Sequence, residues 1–294
     1  MAVFTLPPPM FGFFKKHIEF LTEHAVDPDK RRYAVAGEAP RHYIDIDHYA
    51  HDGADPFEIV PEKWDDAVLK FSEDTLQEYG IVPWHVNVMV RRLEDAFRKG
   101  DTYYILRTAS DLGHYVGDAH VPLHTTENYN GQMTNQKGIH GFWESRVPEL
   151  FAGQYDYLVG KAEYQEDVLD FIWKEVKKSN NAVDTVLRFE RMLSEGFPSD
   201  KKYGIETRGS ATIQTYSYEF SKEYSDMMDD MVERRMRQSI ISLGSLWYTA
   251  WLNAGQPDLE KLGDALPTQE QITEEKELEN KFNNGEIKGR EHPH

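Results

Sequence analysis

Apolar side chains recur at intervals of three and four along most of this chain, with charged residues between them. That is the period of helices that turn one face to a core. In PMFGFFKKHIEFLTEHA, Phe11, Phe14, Ile18 and Leu21 keep this spacing directly after a proline run, which places a first helix there. EKWDDAVLKF repeats the pattern, and PWHVNVMVRRLEDAFRKG extends it, with Pro83 suited to a first turn. DTYYILRTASDLGHYVGDAH follows, with Asp101 as N-cap and Pro122 as its stop. IHGFWESRVPELF predicts another helix, and long helical stretches run from about Glu166 to Glu195 and from about Ser217 to Ala254. From Val26 to Pro61 turn residues dominate, and the segment is expected to be mostly loop. YIDID is the best strand candidate and is short. Beyond Pro257 the sequence is charged and polar, so residues 258–294 are expected to form a mobile tail with at most one marginal helix. The pattern predicts an all-α fold: a single multi-helix bundle over residues 1–257.

Composition narrows the functions open to such a fold. At 39% hydrophobic and 13% aromatic, the 294 residues can bury a substantial core. No apolar run approaches the length of a membrane span. The net charge of -18 repels phosphate backbones over most of the surface, so a phosphate substrate needs a local positive centre, which metal ions would supply. The chain has no cysteine, which excludes disulfides, thiolate metal sites and a cysteine nucleophile. It also lacks a convincing Gly-x-Ser-x-Gly elbow. MAVFTLPPPMFGFFKKHIEF does not read as a secretory signal, because its lysines follow the apolar stretch.

Four of the twelve histidines cluster in HYVGDAHVPLH and the nearby HGFWE. His114 and Asp118 are four apart, on one helix face; so are His140 and Glu144 on a second helix. Taken alone, each pair is more often a surface hydrogen bond than a metal site. Two such pairs joined by His124 point to metal ligation in a cleft between helices. Imidazole and carboxylate donors suit zinc, which holds both at about 2.0–2.2 Å.

These motifs resemble the zinc-dependent phospholipase C family and the related zinc-dependent single-strand-specific nucleases. Both share His-x3-Asp-x5-His ending in Pro-x-His, then His-x3-Asp/Glu; here His114, Asp118, His124, His140 and Glu144 hold those positions. Glutamate as the last ligand leans to the phospholipase side. The weaker resemblance extends from about residue 10 to Pro257. It implies an upstream aspartate and histidine about fifteen residues apart, met by Asp27 and His42, with Asp29 as the rival at spacing thirteen. One zinc is then expected on Asp27, His42, His114 and Asp118, and a second on His124, His140 and Glu144. Asp45 matches a carboxylate beside the reaction centre that orients water or accepts its proton. Asp27 and Lys30 are grouped with it as catalytic candidates, and Lys30 and Arg31 as candidates to hold a phosphate oxygen. His120 is expected to support ligands without being one. His48, His51 and His85 are expected to be ordinary surface or core histidines, and His292 and His294 to be exposed in the tail.

The family's third zinc uses an N-terminal tryptophan amine and an early histidine with the shared aspartate. This chain has no tryptophan before Trp64, and His17 lies in the first helix, so of two or three zinc ions per chain at most two are expected to be tightly held, where relatives hold three. Met1 is expected to have no anchor. The implied function is zinc-dependent hydrolysis of phosphate esters, phospholipase C-like, by activated water. The alternatives are a single-strand-specific endonuclease of DNA or RNA, for which Phe142, Trp143 and Tyr129 are base-stacking candidates, and a metal-binding protein with weak activity. The resemblance implies a secreted or periplasmic protein.

Overall fold

The computed structural model describes residues 1–208 and 211–284. After a 3-10 turn at Ala2–Thr5 come α1 (Pro8–Lys16), α2 (Ile18–Glu23), α3 (Asp27–Arg32), α4 (Pro56–Ile59), α5 (Trp64–Phe71) and α6 (Glu73–Tyr79). The long helices α7 (Val82–Lys99) and α8 (Thr102–Ala119) follow, then the short α9 (Ile139–Gly141) and α10 (Val147–Phe151). The remainder comprises α11 (Val168–Gly196), the strands β1 (Tyr203–Arg208) and β2 (Ala211–Tyr216), α12 (Tyr218–Met227), α13 (Met231–Asn253) and α14 (Gln269–Asn284).

The expected all-α bundle is thus formed, with one antiparallel hairpin added, in which Tyr203 faces Tyr216 and Ile205 faces Gln214. Its centre is the α7–α8 pair. Gly100 ends α7 in the left-handed region at φ 66°, which glycine adopts without strain, and the Asp101 side chain caps α8 by accepting from the Tyr104 N–H. Val86, Val90, Leu93 and Phe97 on α7 and Ile105, Leu112 and Val116 on α8 are buried at helical spacing. Against this pair pack α11 and α13. Phe14 stacks on Trp247 at 4.8 Å and ties α1 to α13. A second apolar cluster gathers Leu123, Ile139, Phe142, Val147, Phe220 and Tyr224.

The structure departs from the periodicity in several places. The first helix breaks at His17 (φ -107°, ψ 21°), and the second long stretch breaks at Met228–Asp230, where Asp229 and Asp230 are both left-handed. YIDID is not a strand: Ile44 and Ile46 are fully buried, and the amides of Ile44 and Asp45 reach the carbonyls of His124 and Tyr79 instead of a ladder. The expected loop after Val26 contains α3. The opening residues are anchored, with Ala2 and Val3 buried and Ala2 O beside Gly244 of α13. Past Pro257, Leu259 is buried, and Phe282 of α14 meets Tyr33 with ring centroids 6.0 Å apart. No helix among the described residues is long and apolar enough to cross a membrane. His292 and His294 lie outside the described residues.

Candidate metal centre

Two groups of side chains converge at metal-binding separations: Asp29, His42 and His114, and His124, His140 and Glu144. In the first, His114 Nε2 lies 3.1 Å from His42 Nδ1 and 3.5 Å from Asp29 Oδ1. In the second, Glu144 Oε2 lies 2.8 Å from His140 Nε2 and 3.5 Å from His124 Nε2. Asp118 joins them: Oδ2 is 2.9 Å from His42 Nδ1 and 3.4 Å from His114 Nε2, and Oδ1 is 3.8 Å from His124 Nε2. Two donors on one tetrahedral ion with bonds of about 2.1 Å stand about 3.4 Å apart, the middle of this range.

Local structure explains the convergence. On α8, His114 and Asp118 are one turn apart. Gly117 beside them leaves open space where a Cβ would stand, which widens the cleft. After α8, Pro122–Thr125 turns as a 3-10 segment and brings the His124 ring to the carbonyl of His42. The turn Phe142–Arg146 is π-helical. Pro148 has no N–H to offer the Glu144 carbonyl, and the Val147 N–H reaches back to Phe142 O. The far nitrogens are fixed by the backbone: His114, His124 and His140 each direct Nδ1 at a carbonyl, of Ala25, His42 and Tyr129, at 3.0, 2.7 and 3.0 Å. That contact orients each ring with Nε2 inward, the arrangement of a metal-ligating histidine. His42 points Nδ1 inward, and its Nε2 faces the buried Glu38 carboxylate at 3.8 Å. These donors fit a divalent ion that accepts both nitrogen and oxygen.

Electrostatics follows the carboxylates. Burial alone would lower His114, but Asp118 and Asp29 outweigh it and raise its pKa to about 9. His124 is likewise raised, because Asp118 and Glu144 overcome its burial. At His140 burial prevails over Glu144 and its pKa falls. Burial acts to raise Glu144, yet His124 and His140 hold it well below the ordinary carboxylate range. For Glu38, burial is outweighed by His42, Arg31, Tyr115 and Arg41, which bring it down to about 2.

Of the residues expected at the centre, His42, His114, Asp118, His124, His140 and Glu144 come together. Asp27 does not. Two residues apart on α3, Asp27 and Asp29 cannot face the same way. Asp29 turns to the histidines, whereas Asp27 is held by His24 at 2.6 Å, Lys30 at 2.8 Å and Arg107. Lys30 is thereby paired outside both groups, and Arg31 is turned to Asp111 and Tyr115. Asp45 is buried, belongs to neither group, and its charge is felt by Tyr49 and Tyr79. His120 turns away from the groups to Val116 O, Ser242 Oγ and Glu175. The sequence reading missed Arg32. It is buried, its Nη2 lies 3.8 Å from Asp29, and its Nε has no hydrogen-bond partner. It also missed Glu38, for which the Glu-x3-His spacing to His42 was an available signal.

A cavity of about 430 Å³ opens beside Asp118 and Glu144. Its apolar wall includes Val26, Trp143, Val232, Met236 and Ile240. The Trp143 indole N–H has no partner, whereas Phe142 is core, stacked on Tyr216 at 3.9 Å. Tyr129 contributes its carbonyl to His140. A sequence profile of the S1/P1 nuclease family matches residues 14–251. No curated protein matches the chain.

Proposed function

The chain belongs to the S1/P1 nuclease family, metal-dependent phosphodiester hydrolases, and from that premise we propose that it is a zinc-dependent endonuclease of single-stranded nucleic acid. The phospholipase C reading, which rested on Glu144 in place of aspartate, has less support: the matched profile is that of the nucleases. The observation that carries the proposal is the pair of three-residue groups joined through Asp118 inside the matched region.

Asp29, His42, His114 and Asp118 would hold one zinc ion, and His124, His140 and Glu144 a second. Bound there, zinc supplies Lewis acidity and brings the pKa of water toward about 7. The chain's own residues do the rest. His114 and His124 must give up the protons that Asp118, Asp29 and Glu144 favour on them. Arg32 adds a buried positive charge behind Asp29, on the side where phosphate charge must be offset. Asp45, three residues after His42, is proposed to accept a proton from the attacking water. Trp143, buried at the edge of the cavity, contributes to the apolar wall against which a nucleobase would lie. Family membership also supports export from the cytoplasm, which cell fractionation tests.

The test is a parallel assay of the zinc-loaded chain on single-stranded DNA and on phosphatidylcholine, with a metal count on the same sample. Cleavage of DNA with two zinc ions per chain is expected. Hydrolysis of the lipid with intact DNA would restore the phospholipase reading.

A further inference from the structure

Asp27, Lys30 and Arg31, the residues of α3 that the metal groups leave aside, face a second pair of cavities. These measure about 320 and 270 Å³ and share Arg31, Arg107 and Leu278 as common walls. The smaller one is built from regular helix faces. From α7 come His85, Met89 and Arg92; α8 supplies Tyr104, Arg107 and Asp111. Residues three, four and seven apart share a helix face, so each set lines one side. Arg41 closes one end, and α14 roofs the recess with Gln271 and Leu278.

A chain of net charge -18 gathers five cations here: Lys30, Arg31, Arg41, Arg92 and Arg107. Three carboxylates answer most of them. Asp27 holds Lys30 and Arg107, Asp111 holds Arg31, and Glu38 holds Arg41 and lies 3.7 Å from Arg31. Arg92 has no such partner. Its guanidinium meets Met89 Sδ at 3.7 Å, and no carboxylate is paired with it among the described residues. Among the described residues the balance stays positive even with Glu279 at the rim of the larger cavity.

His85 gives a second, independent sign. It is only 6% exposed, lines the same recess, and its Nε2 has no hydrogen-bond partner. A buried imidazole nitrogen left without a partner costs free energy. Burial first, then the charges of Arg41 and Arg92, push its pKa down to about 3, so the ring stands neutral among guanidiniums. Positive charge in excess, one guanidinium without a counter-ion and one unsatisfied ring nitrogen are all answered by the same ligand chemistry. A tetrahedral oxyanion accepts paired hydrogen bonds from planar guanidiniums, and a neutral imidazole adds one more.

We propose that the recess bounded by Arg41, His85 and Arg92, under the roof of α14, binds a small phosphate-bearing anion at a site separate from the metal groups. The ligand is either free phosphate or the phosphate of a mononucleotide.

The test is calorimetric titration of the full zinc-loaded chain with inorganic phosphate and, in a second arm, with adenosine 5′-monophosphate. Arg92→Met removes the unpaired charge from an exposed side chain and keeps its stem. Arg41→Met is the second variant. His140→Ala, and the wild-type chain stripped by chelator, disable the metal groups and leave the recess intact. Either arginine variant is expected to weaken binding about tenfold or more, the usual scale for losing a charged hydrogen bond. Binding in the His140→Ala and stripped samples should stay within about twofold of wild type. Equal affinity for both ligands identifies the free oxyanion, and tighter binding of the nucleotide identifies its monoester; both support the site. Binding that survives both arginine substitutions, or that disappears when the metal groups are disabled, overturns it.

Discussion

The two candidate metal-binding groups are built in opposite ways. His124, His140 and Glu144 come from one short stretch of chain, within a single turn-and-helix unit. Asp29, His42 and His114 come from three separate segments, and His42 and His114 are 72 positions apart. The local group is fixed by helix geometry and two backbone carbonyls, of His42 and Tyr129. The dispersed group depends on α3 docking with the correct face against α8. The groups also differ in charge, since burial is outweighed at His114 and His124, which Asp118 helps to raise, and prevails at His140, which is lowered. Asp118 therefore raises one histidine in each group as well as joining them.

The sharpest way to break the comparison is at that junction. Asp118→Asn should remove the shared charge and lower hydrolysis by more than about a hundredfold, beyond the 10–100-fold typical of outer contacts. His120→Asn, two residues on but directed at Ser242 and Glu175, should stay within that lower range. Steady-state rates of the two folded variants on one oligonucleotide make the comparison, and equal losses would remove the distinction.

A smaller effect separates the dispersed group from its neighbour in sequence. Asp29→Asn should cost one zinc ion per chain and about 10–100-fold in rate. Asp27→Asn should keep the metal count while lowering stability by about 1–3 kcal/mol, because it strips a buried carboxylate from Lys30, His24 and Arg107. Metal analysis and thermal melting of both variants check this. Loss of metal from Asp27→Asn alone would reverse the assignment.

This is also where sequence reasoning fell short. The helix-spaced pairs His114–Asp118 and His140–Glu144 were legible, since four residues make one turn whatever the tertiary context. Asp27 was chosen over Asp29 by counting residues to His42. That count says nothing about which way a side chain points once α3 forms in a stretch expected to be loop. Arg32 was hidden for the same reason, as the third cation in Lys-Arg-Arg. Helix breaks at His17 and Asp229–Asp230 were invisible to periodicity, because the apolar spacing runs on through them. The β-hairpin was missed because its outward residues, among them Ile205 at 79% exposed, give no clean alternation.

The remaining prediction concerns pH. In the metal-free chain the pKa of His114 is raised to about 9. Its contribution to stability is therefore fully present below the unfolded value of about 6.5 and is lost as pH rises through 9. Metal must expel that proton, so affinity at the dispersed group should rise with pH up to about 9, at most tenfold per unit. Chelator competition from pH 6 to 9 on the Glu144→Gln variant isolates this group. An affinity flat across that range would show that His114 carries no proton to expel.

The backbone bonds between residues 42–44 and 124 bear on how the molecule is assembled. His42 O receives the His124 ring, and the Ile44 amide donates to His124 O, so each segment holds the other in place. On a growing chain, residues 42–44 must wait for about eighty further residues before this clamp exists, and closing so long a loop is an entropic step that comes late. The short-range group has no such wait once His140 and Glu144 are made. A first ion captured there would hold His124 in position and offer the 42–44 segment a finished surface to dock on. Metal uptake would then be ordered in time, with the near group filled as part of folding and the dispersed one only after it.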